Sequence, residues 1–197
     1  MRYLQEIARS IPKLAPPKCR HDKIPWRGEY LAEGVDGKAY QNWDDDFKVV
    51  KVGFLDHMHR SGCTLSVLED NFDYVLNNKP EAYVTVHDYG CFDCKSCNVS
   101  YFVMMEKLKK LTNVEAGTIP NLAINAQNLY KKPKKKQAGL TADQTDFIKN
   151  LGPKKKKFVQ NIWKSGLIHN DIHAGNIMKN DDGDYKLIDL DRLSFLK

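Results

Sequence analysis

The spacing of apolar positions changes period several times along the chain, and each change marks an element. From Gly28 to Phe54, in GEYLAEGVDGKAYQNW and FKVVKVGF, β-branched and aromatic residues are interrupted by turn chemistry at DGK and WDDD, which predicts three successive antiparallel strands. In CTLSVLEDNFDYVL the period lengthens. Leu65, Leu68, Phe72, Val75 and Leu76 fall on one helical stripe that ends near NNKP. AYVTVHDYG and VSYFVMMEKL return to strand patterning, joined by CFDCKSCN, so the first half holds five strands and one helix.

Beyond LTNVEAGTIPN the pattern weakens, with helices expected around LAINAQNLY and ADQTDFIKN. KKKKFVQNIWKSG is clearer: Phe158, Val159, Ile162 and Trp163 share one face, and Gly166 stops the helix. LIHNDIH follows, then NDDGD as the tight turn of a hairpin, then YKLIDLD as a buried strand. At the other end, residues 2–10 can form a short amphipathic helix, after which Pro12, Pro16, Pro17 and Pro25 keep the chain extended. Residues 1–27 therefore read as an arm.

A length of 197 residues suits one domain or two small lobes, and 42% hydrophobic with 28% charged residues excludes wholesale disorder. The charges inside MRYLQEIARSIPK argue against a secretory signal, and no apolar run approaches the roughly 18 residues of a transmembrane helix. Five cysteines are an odd number in a chain large enough to fold without staples, which points to a reducing, cytoplasmic setting. A protein delivered into or expressed in a host cell would have the same composition.

The net charge of +6 is uneven. Residues 107–168 carry 14 basic against 3 acidic side chains, while residues 1–106 carry 13 against 16. Nine of the lysines lie in KKPKKKQ (131–137) and PKKKK (153–157), so the 131–157 face is either a solvated surface or a dock for an acidic partner. No aromatic residues interleave those lysines, and sequence-specific nucleic-acid readout is not expected.

The stretch HNDIHAGN (169–176) gathers two imidazoles, an aspartate and an asparagine, with Asp189 lying 18 residues beyond Asp171. Here the chain resembles the protein-kinase-like phosphotransferases, which follow a helix with H-x-D-x-x-x-x-N, a hairpin, and a strand ending in a metal-binding aspartate. The matching residues are His169, Asp171, Asn176 and Asp189. The amino-terminal half matches in the same order. LAEGVDGKAY resembles the glycine-rich loop, with Ala32, Gly34 and Gly37 at the three glycine positions; KVVK resembles the lysine strand and presents Lys51; Glu69 stands on the next helix as its ion-pair partner; and VMMEKL resembles the approach to the hinge, where the backbone of Glu106 and Leu108 would meet adenine.

The resemblance implies an α+β, two-lobed kinase-like fold. Residues 28–108 would form a five-stranded antiparallel lobe with one helix, and residues 109–197 a reduced, mainly helical lobe carrying the catalytic loop. It also implies ATP and Mg²⁺ as cofactors, with Gly34, Gly37 and Lys51 on the phosphates, Asn176 and Asp189 on magnesium, and Asp171 orienting the acceptor hydroxyl. The implied reaction is transfer of the γ-phosphate to a protein substrate, with Ser/Thr favoured. Each residue also has a plainer reading, Lys51 as a surface lysine, Glu69 as a solvated helix residue, His169 as a core histidine, Asp171 and Asn176 as turn formers. Their joint order and spacing favour the kinase.

Three departures bear on the substrate. Asn170 replaces the usual arginine, His173 replaces the lysine of serine/threonine kinases, and Asp191 stands at the glycine of D-F-G. IHAGN is similar to the loop of aminoglycoside phosphotransferases and LIDLDR to that of lipopolysaccharide-core kinases, which keeps a small-molecule or saccharide acceptor as an alternative. A non-catalytic nucleotide-binding interaction module is the other. The sequence ends six residues after Asp191, so the resemblance implies no activation segment, as in the minimal kinases among bacterial type III effectors. Separately, CFDCKSC has Cys91, Cys94 and Cys97 at C-x₂-C-x₂-C spacing with His87 four residues upstream, either a Cys₃His zinc site or a reduced loop.

Overall fold

The computed structural model describes residues 27–34, 37–54, 65–91, 99–131 and 140–195. The arm helix expected over residues 2–10 lies outside them. The protein is α+β, with a five-stranded antiparallel sheet and four α-helices among the described residues. The chain divides into two units, one of residues 1–79 and 85–107, the other of residues 80–84 and 108–197.

In the first unit, β1 (Arg27–Gly34), β2 (Gly37–Asn42), β3 (Lys48–Phe54), β4 (Val86–Cys91) and β5 (Val99–Glu106) form one sheet in the order β1-β2-β3-β5-β4. The three strands expected between Gly28 and Phe54 are all present. Strand β3 is central, flanked by β2 and β5, with Lys51 opposite Ala39 on one side and Val103 on the other. Helix α1 (Leu65–Asn78) buries Leu68, Phe72 and Val75, the stripe its sequence spacing selects. Phe72 packs against Tyr89 and Tyr101 at ring separations of 5.3 and 5.5 Å. Tyr101 pairs with Gly53, two residues from Lys51 on the same pleat face, so Lys51 and α1 share one side of the sheet.

The strand expected over AYVTVHDYG begins only at Val86. Ala82, Tyr83 and Val84 are buried in the second unit instead, where Leu187 N–H donates to Ala82 O (2.8 Å) and Val84 N–H to Leu187 O (2.9 Å). An apolar run reports burial without naming the strand it packs on, so the sequence alone does not divide residues 82–84 from β4.

The second unit contains β6 (Lys109–Lys110), α2 (Asn113–Lys131), α3 (Ala142–Lys149), α4 (Pro153–Ser165), β7 (Leu167–His169), β8 (Ile177–Lys179), β9 (Tyr185–Leu187) and β10 (Leu193–Phe195). Short 3₁₀ turns occupy Ala174–Asn176 and Leu190–Arg192. Strands β6, β8 and β9 pair in that order, and β10 pairs with β7. Helix α2 starts well before the expected LAINAQNLY and continues through Pro120. Its start is fixed by Thr112 and Glu115: the Thr112 N–H and hydroxyl both donate to Glu115 Oε2, at 2.9 and 2.8 Å. Ile119, Ala123, Ala126 and Gln127 then form a buried stripe that offsets the backbone bond the proline removes.

Helix α4 matches its sequence pattern. Pro153 occupies its first turn, Phe158, Val159, Ile162 and Trp163 are buried, and Gly166 ends it in the left-handed conformation at φ 70°. Trp163 Nε1 donates to Ala126 O across the α2–α4 contact (2.8 Å). No helix among the described residues is long and apolar enough to cross a membrane.

Candidate functional site

The stretch HNDIHAGN is built around one buried imidazole. His169 closes β7 and is almost completely buried. Its ring Nε2 lies 2.5 Å from Ile188 O, a pure acceptor, so Nε2 carries the hydrogen. That leaves Nδ1 as an acceptor, and it receives the Asp171 N–H at 3.2 Å. Burial, outweighing the Ile188 hydrogen bond and the nearby aspartates, pushes the imidazole below its ordinary pKa and favours the neutral form.

The His169 backbone is held as firmly. From α2, buried Gln127 accepts the His169 N–H at 2.6 Å and donates Nε2 to the His169 carbonyl at 3.0 Å, a two-point clamp that mimics a strand partner. On the other side, His169 pairs with Leu193 of β10, and Asn170 N–H donates to Arg192 O (2.8 Å). Sequence reading missed Gln127. The available signal was a carboxamide placed on the apolar stripe of a helix, where an unpaired amide would be costly.

Asn176 links the two ends of the stretch. Its Nδ2 donates to Asp171 O (2.9 Å), its backbone N–H to His173 O (3.0 Å), and its carbonyl accepts the Ile188 N–H (3.0 Å). The side-chain Oδ1 is thereby left as the donor atom Asn176 can offer a hard cation. Residue 189 follows directly, and Asp189 sits at φ 60°, ψ 63°, a left-handed conformation that an aspartate adopts at a cost. The structure thus brings His169, Asp171, Asn176 and the Asp189 backbone into one hydrogen-bonded turn system within the second unit.

Asp171 is half-exposed, and His173 Nε2 lies 3.7 Å from its Oδ2. The His173 ring is turned there because its Nδ1 accepts the Gly175 N–H at 3.0 Å. A Cβ at Gly175 would come within 2.8 Å of that exposed ring, which would have to turn away to admit it. Among the described residues no three His, Cys, Asp or Glu side chains converge. A carboxylate and a carboxamide oxygen are the hard donor types that magnesium takes alongside phosphate oxygens and water.

The first-unit candidates are placed as follows. Gly34 and Gly37 face each other across the β1–β2 connection, whose residues 35 and 36 lie outside the described set. Gly37 also has a structural reason to be glycine, because a Cβ there would collide with the carbonyl oxygen of Val52. Lys51 is half-buried on β3, whereas Glu69 is exposed on α1, and no ion pair among the described residues joins the two. The Glu106 N–H donates to Thr85 O (3.0 Å) and its carboxylate accepts the Thr85 N–H (2.7 Å). Leu108 is half-buried at the start of the second unit's main segment. Of the zinc candidates, His87 lies on β4, where partial desolvation and the nearby Lys48 charge lower its pKa; Cys94, Cys97 and the Cys91 side chain lie outside the described residues. Most of the 131–137 lysine run lies outside them too.

No protein-family model matches the chain, and no curated protein matches it.

Proposed function

We propose that the protein is an ATP- and Mg²⁺-dependent phosphotransferase acting on a protein hydroxyl, with Ser/Thr favoured. The observation that carries this reading is the bonded system around His169, in which the neutral buried imidazole accepts the Asp171 N–H, Asn176 donates to the Asp171 carbonyl, and Ile188, next to Asp189, bonds both His169 and Asn176. Phosphoryl transfer needs positioning and charge neutralisation more than covalent help, and these are the groups it uses. Magnesium, when bound with the nucleotide, neutralises charge on the phosphate oxygens. In this reading Asp189 and the Asn176 Oδ1 hold the cation, and the phosphate role of Lys51 comes from the resemblance of KVVK to the kinase lysine strand alone. Asp171 orients the acceptor hydroxyl and takes its proton as the new P–O bond forms and the bond to the ADP oxygen breaks. The strained backbone of Asp189 supports the reading, because a non-glycine residue is kept in the left-handed region only where the surrounding structure, or a function, requires it.

One observation favours a second reading. The His173 imidazole lies beside the Asp171 carboxylate where serine/threonine kinases carry a lysine, and this suits transfer to a sugar or other small-molecule hydroxyl.

Transfer of radiolabelled γ-phosphate from ATP with Mg²⁺ separates the cases, comparing wild type with Asp171→Ala and Asp189→Ala. One arm contains eukaryotic lysate protein and the other a panel of sugars and aminoglycosides. Protein labelling lost in both variants is the expected result. Labelling only of small molecules would install the second reading, and no transfer in either arm would overturn both.

A further inference from the structure

The β2–β3 turn, Trp43-Asp44-Asp45-Asp46-Phe47, leaves two large aromatic side chains in solvent. Trp43 is 68% exposed and Phe47 75%. Isolated exposed apolar residues are ordinary, but these two flank three consecutive aspartates on a turn that is closely pinned. Asn42 Oδ1 accepts the Asp44 N–H at 2.8 Å, and Asp45 Oδ1 accepts the Phe47 N–H at 2.9 Å. The Asp45 carbonyl accepts from Lys48 N–H and from Gln41 Nε2, while the Asp45 carboxylate pairs with Lys48 Nζ at 2.7 Å. Phe47 is held from beyond the turn as well: its carbonyl accepts the Lys107 N–H at 2.7 Å, and Lys107 Nζ donates to Gln41 Oε1 at the same distance. Trp43 lies over Gly28, where a Cβ would come within 2.9 Å of its indole.

These bonds occupy Asp45 and leave Asp44 and Asp46 exposed, the one next to Trp43 and the other next to Phe47 in the chain. Both rings stay largely in solvent, with Trp43 resting on Gly28, and the pinned backbone sets where the two side chains leave the turn. Fixed aromatic groups lose little conformational freedom on binding and are the residue types that anchor interfaces. The chemistry is also directional. Ring faces attract cations, and two carboxylates next to them select against an anionic partner.

We infer that the 43–47 turn is a docking element for a partner protein, recognising a segment in which arginine or lysine alternates with apolar residues. The apolar side chains lie on Trp43 and Phe47, and the cations meet the ring faces and the Asp44 and Asp46 carboxylates. The inference stands independently of phosphotransfer.

The test uses the full chain and a fluorescein-labelled peptide of alternating arginine and leucine, with alternating glutamate and leucine as control, read by fluorescence anisotropy. Wild type should bind the arginine peptide in preference to the glutamate peptide, more weakly as salt rises. Trp43→Ala/Phe47→Ala should weaken binding by roughly tenfold or more, and Asp44→Asn/Asp46→Asn should flatten the salt dependence. All four side chains are exposed, so melting followed by circular dichroism should be unchanged in both double variants. Binding unchanged in Trp43→Ala/Phe47→Ala, or absent from wild type, would overturn the proposal. So would self-association of wild type that this variant abolishes without any peptide binding, since it would place a second copy of the chain on the turn.

Discussion

Glu115 offers the sharpest test of how the second unit is held together. Its Oε2 accepts from the Thr112 N–H, the Thr112 hydroxyl and Lys179 Nζ, and its Oε1 from Lys179 Nζ and the Tyr185 hydroxyl, all between 2.8 and 3.0 Å. One carboxylate therefore ties the start of α2 to β8 and β9, and both it and the Lys179 side chain are about one-fifth exposed. Lys179, with help from Thr112, holds the carboxyl at about 2 rather than 4.5, while burial first and Glu115 second push Tyr185 up to about 12. A carboxyl shifted that far corresponds to an upper bound of about 3 kcal/mol at neutral pH. Partial exposure brings the expected cost of Glu115→Gln to about 2 kcal/mol, or roughly 4–8 °C in melting temperature for a chain of this size.

The sign follows from the depressed pKa. The contribution is fully present above about pH 4.5 and is lost as pH falls from there toward 2. Urea unfolding of wild type and Glu115→Gln, followed by circular dichroism at pH 7 and pH 3, should show a gap near 2 kcal/mol at the higher pH that shrinks markedly at the lower. A gap below about 0.5 kcal/mol at pH 7, within the range of a neutral surface substitution, would refute the reasoning. So would a gap that does not change with pH.

Three other consequences follow from the site. Gln127→Leu leaves the His169 N–H and carbonyl buried without their clamp, which should cost about 1–3 kcal/mol in urea unfolding and should lower kcat more than it raises KM for ATP; equal stability and equal turnover would show the clamp to be incidental. His169 should stay neutral below its ordinary pKa, so the fold loses stability as pH drops below about 6.5, and an imidazole NMR titration with a midpoint at or above that value would contradict the burial-lowered pKa. Asp189→Gly removes the penalty of a left-handed non-glycine residue, so thermal stability should hold or rise by up to about 1 kcal/mol while phosphate transfer disappears; retained transfer would remove Asp189 from the chemistry.

Elements whose local pattern agrees with their packing were readable in advance. The β1–β2–β3 meander, α1 and α4 have the alternation or stripe that their buried faces use, and Gly166 terminates α4 as its position foretold. Helix α2 was read too short because Pro120 and Gly117 signal a break, whereas the decisive signal, the T-x-x-E pair of Thr112 and Glu115, lies before them. Residues 82–84 read as a continuation of β4 because periodicity reports burial without naming the partner, and here the partner is Leu187, far along the chain. In the site, H-x-D-x-x-x-x-N marks His169, Asp171 and Asn176, which the structure joins by hydrogen bonds. It gives no trace of Gln127 or the Ile188 carbonyl, whose roles arise from contacts across 42 and 19 residues of sequence. The anticipated Lys51–Glu69 pair rested on helix position alone, and the exposed Glu69 makes no such ion pair among the described residues.

The claim that these groups serve a magnesium–nucleotide complex can be tested without knowing the acceptor. Calorimetric titration of ATP into wild type and into Asp189→Ala, with and without Mg²⁺, measures it directly. The expected result is binding to wild type that strengthens with Mg²⁺, and an Asp189→Ala variant in which that strengthening is lost. Absence of ATP binding to a folded wild type, or Mg²⁺-dependent binding that Asp189→Ala leaves intact, would contradict the assignment of HNDIHAGN and Asp189 to phosphoryl transfer.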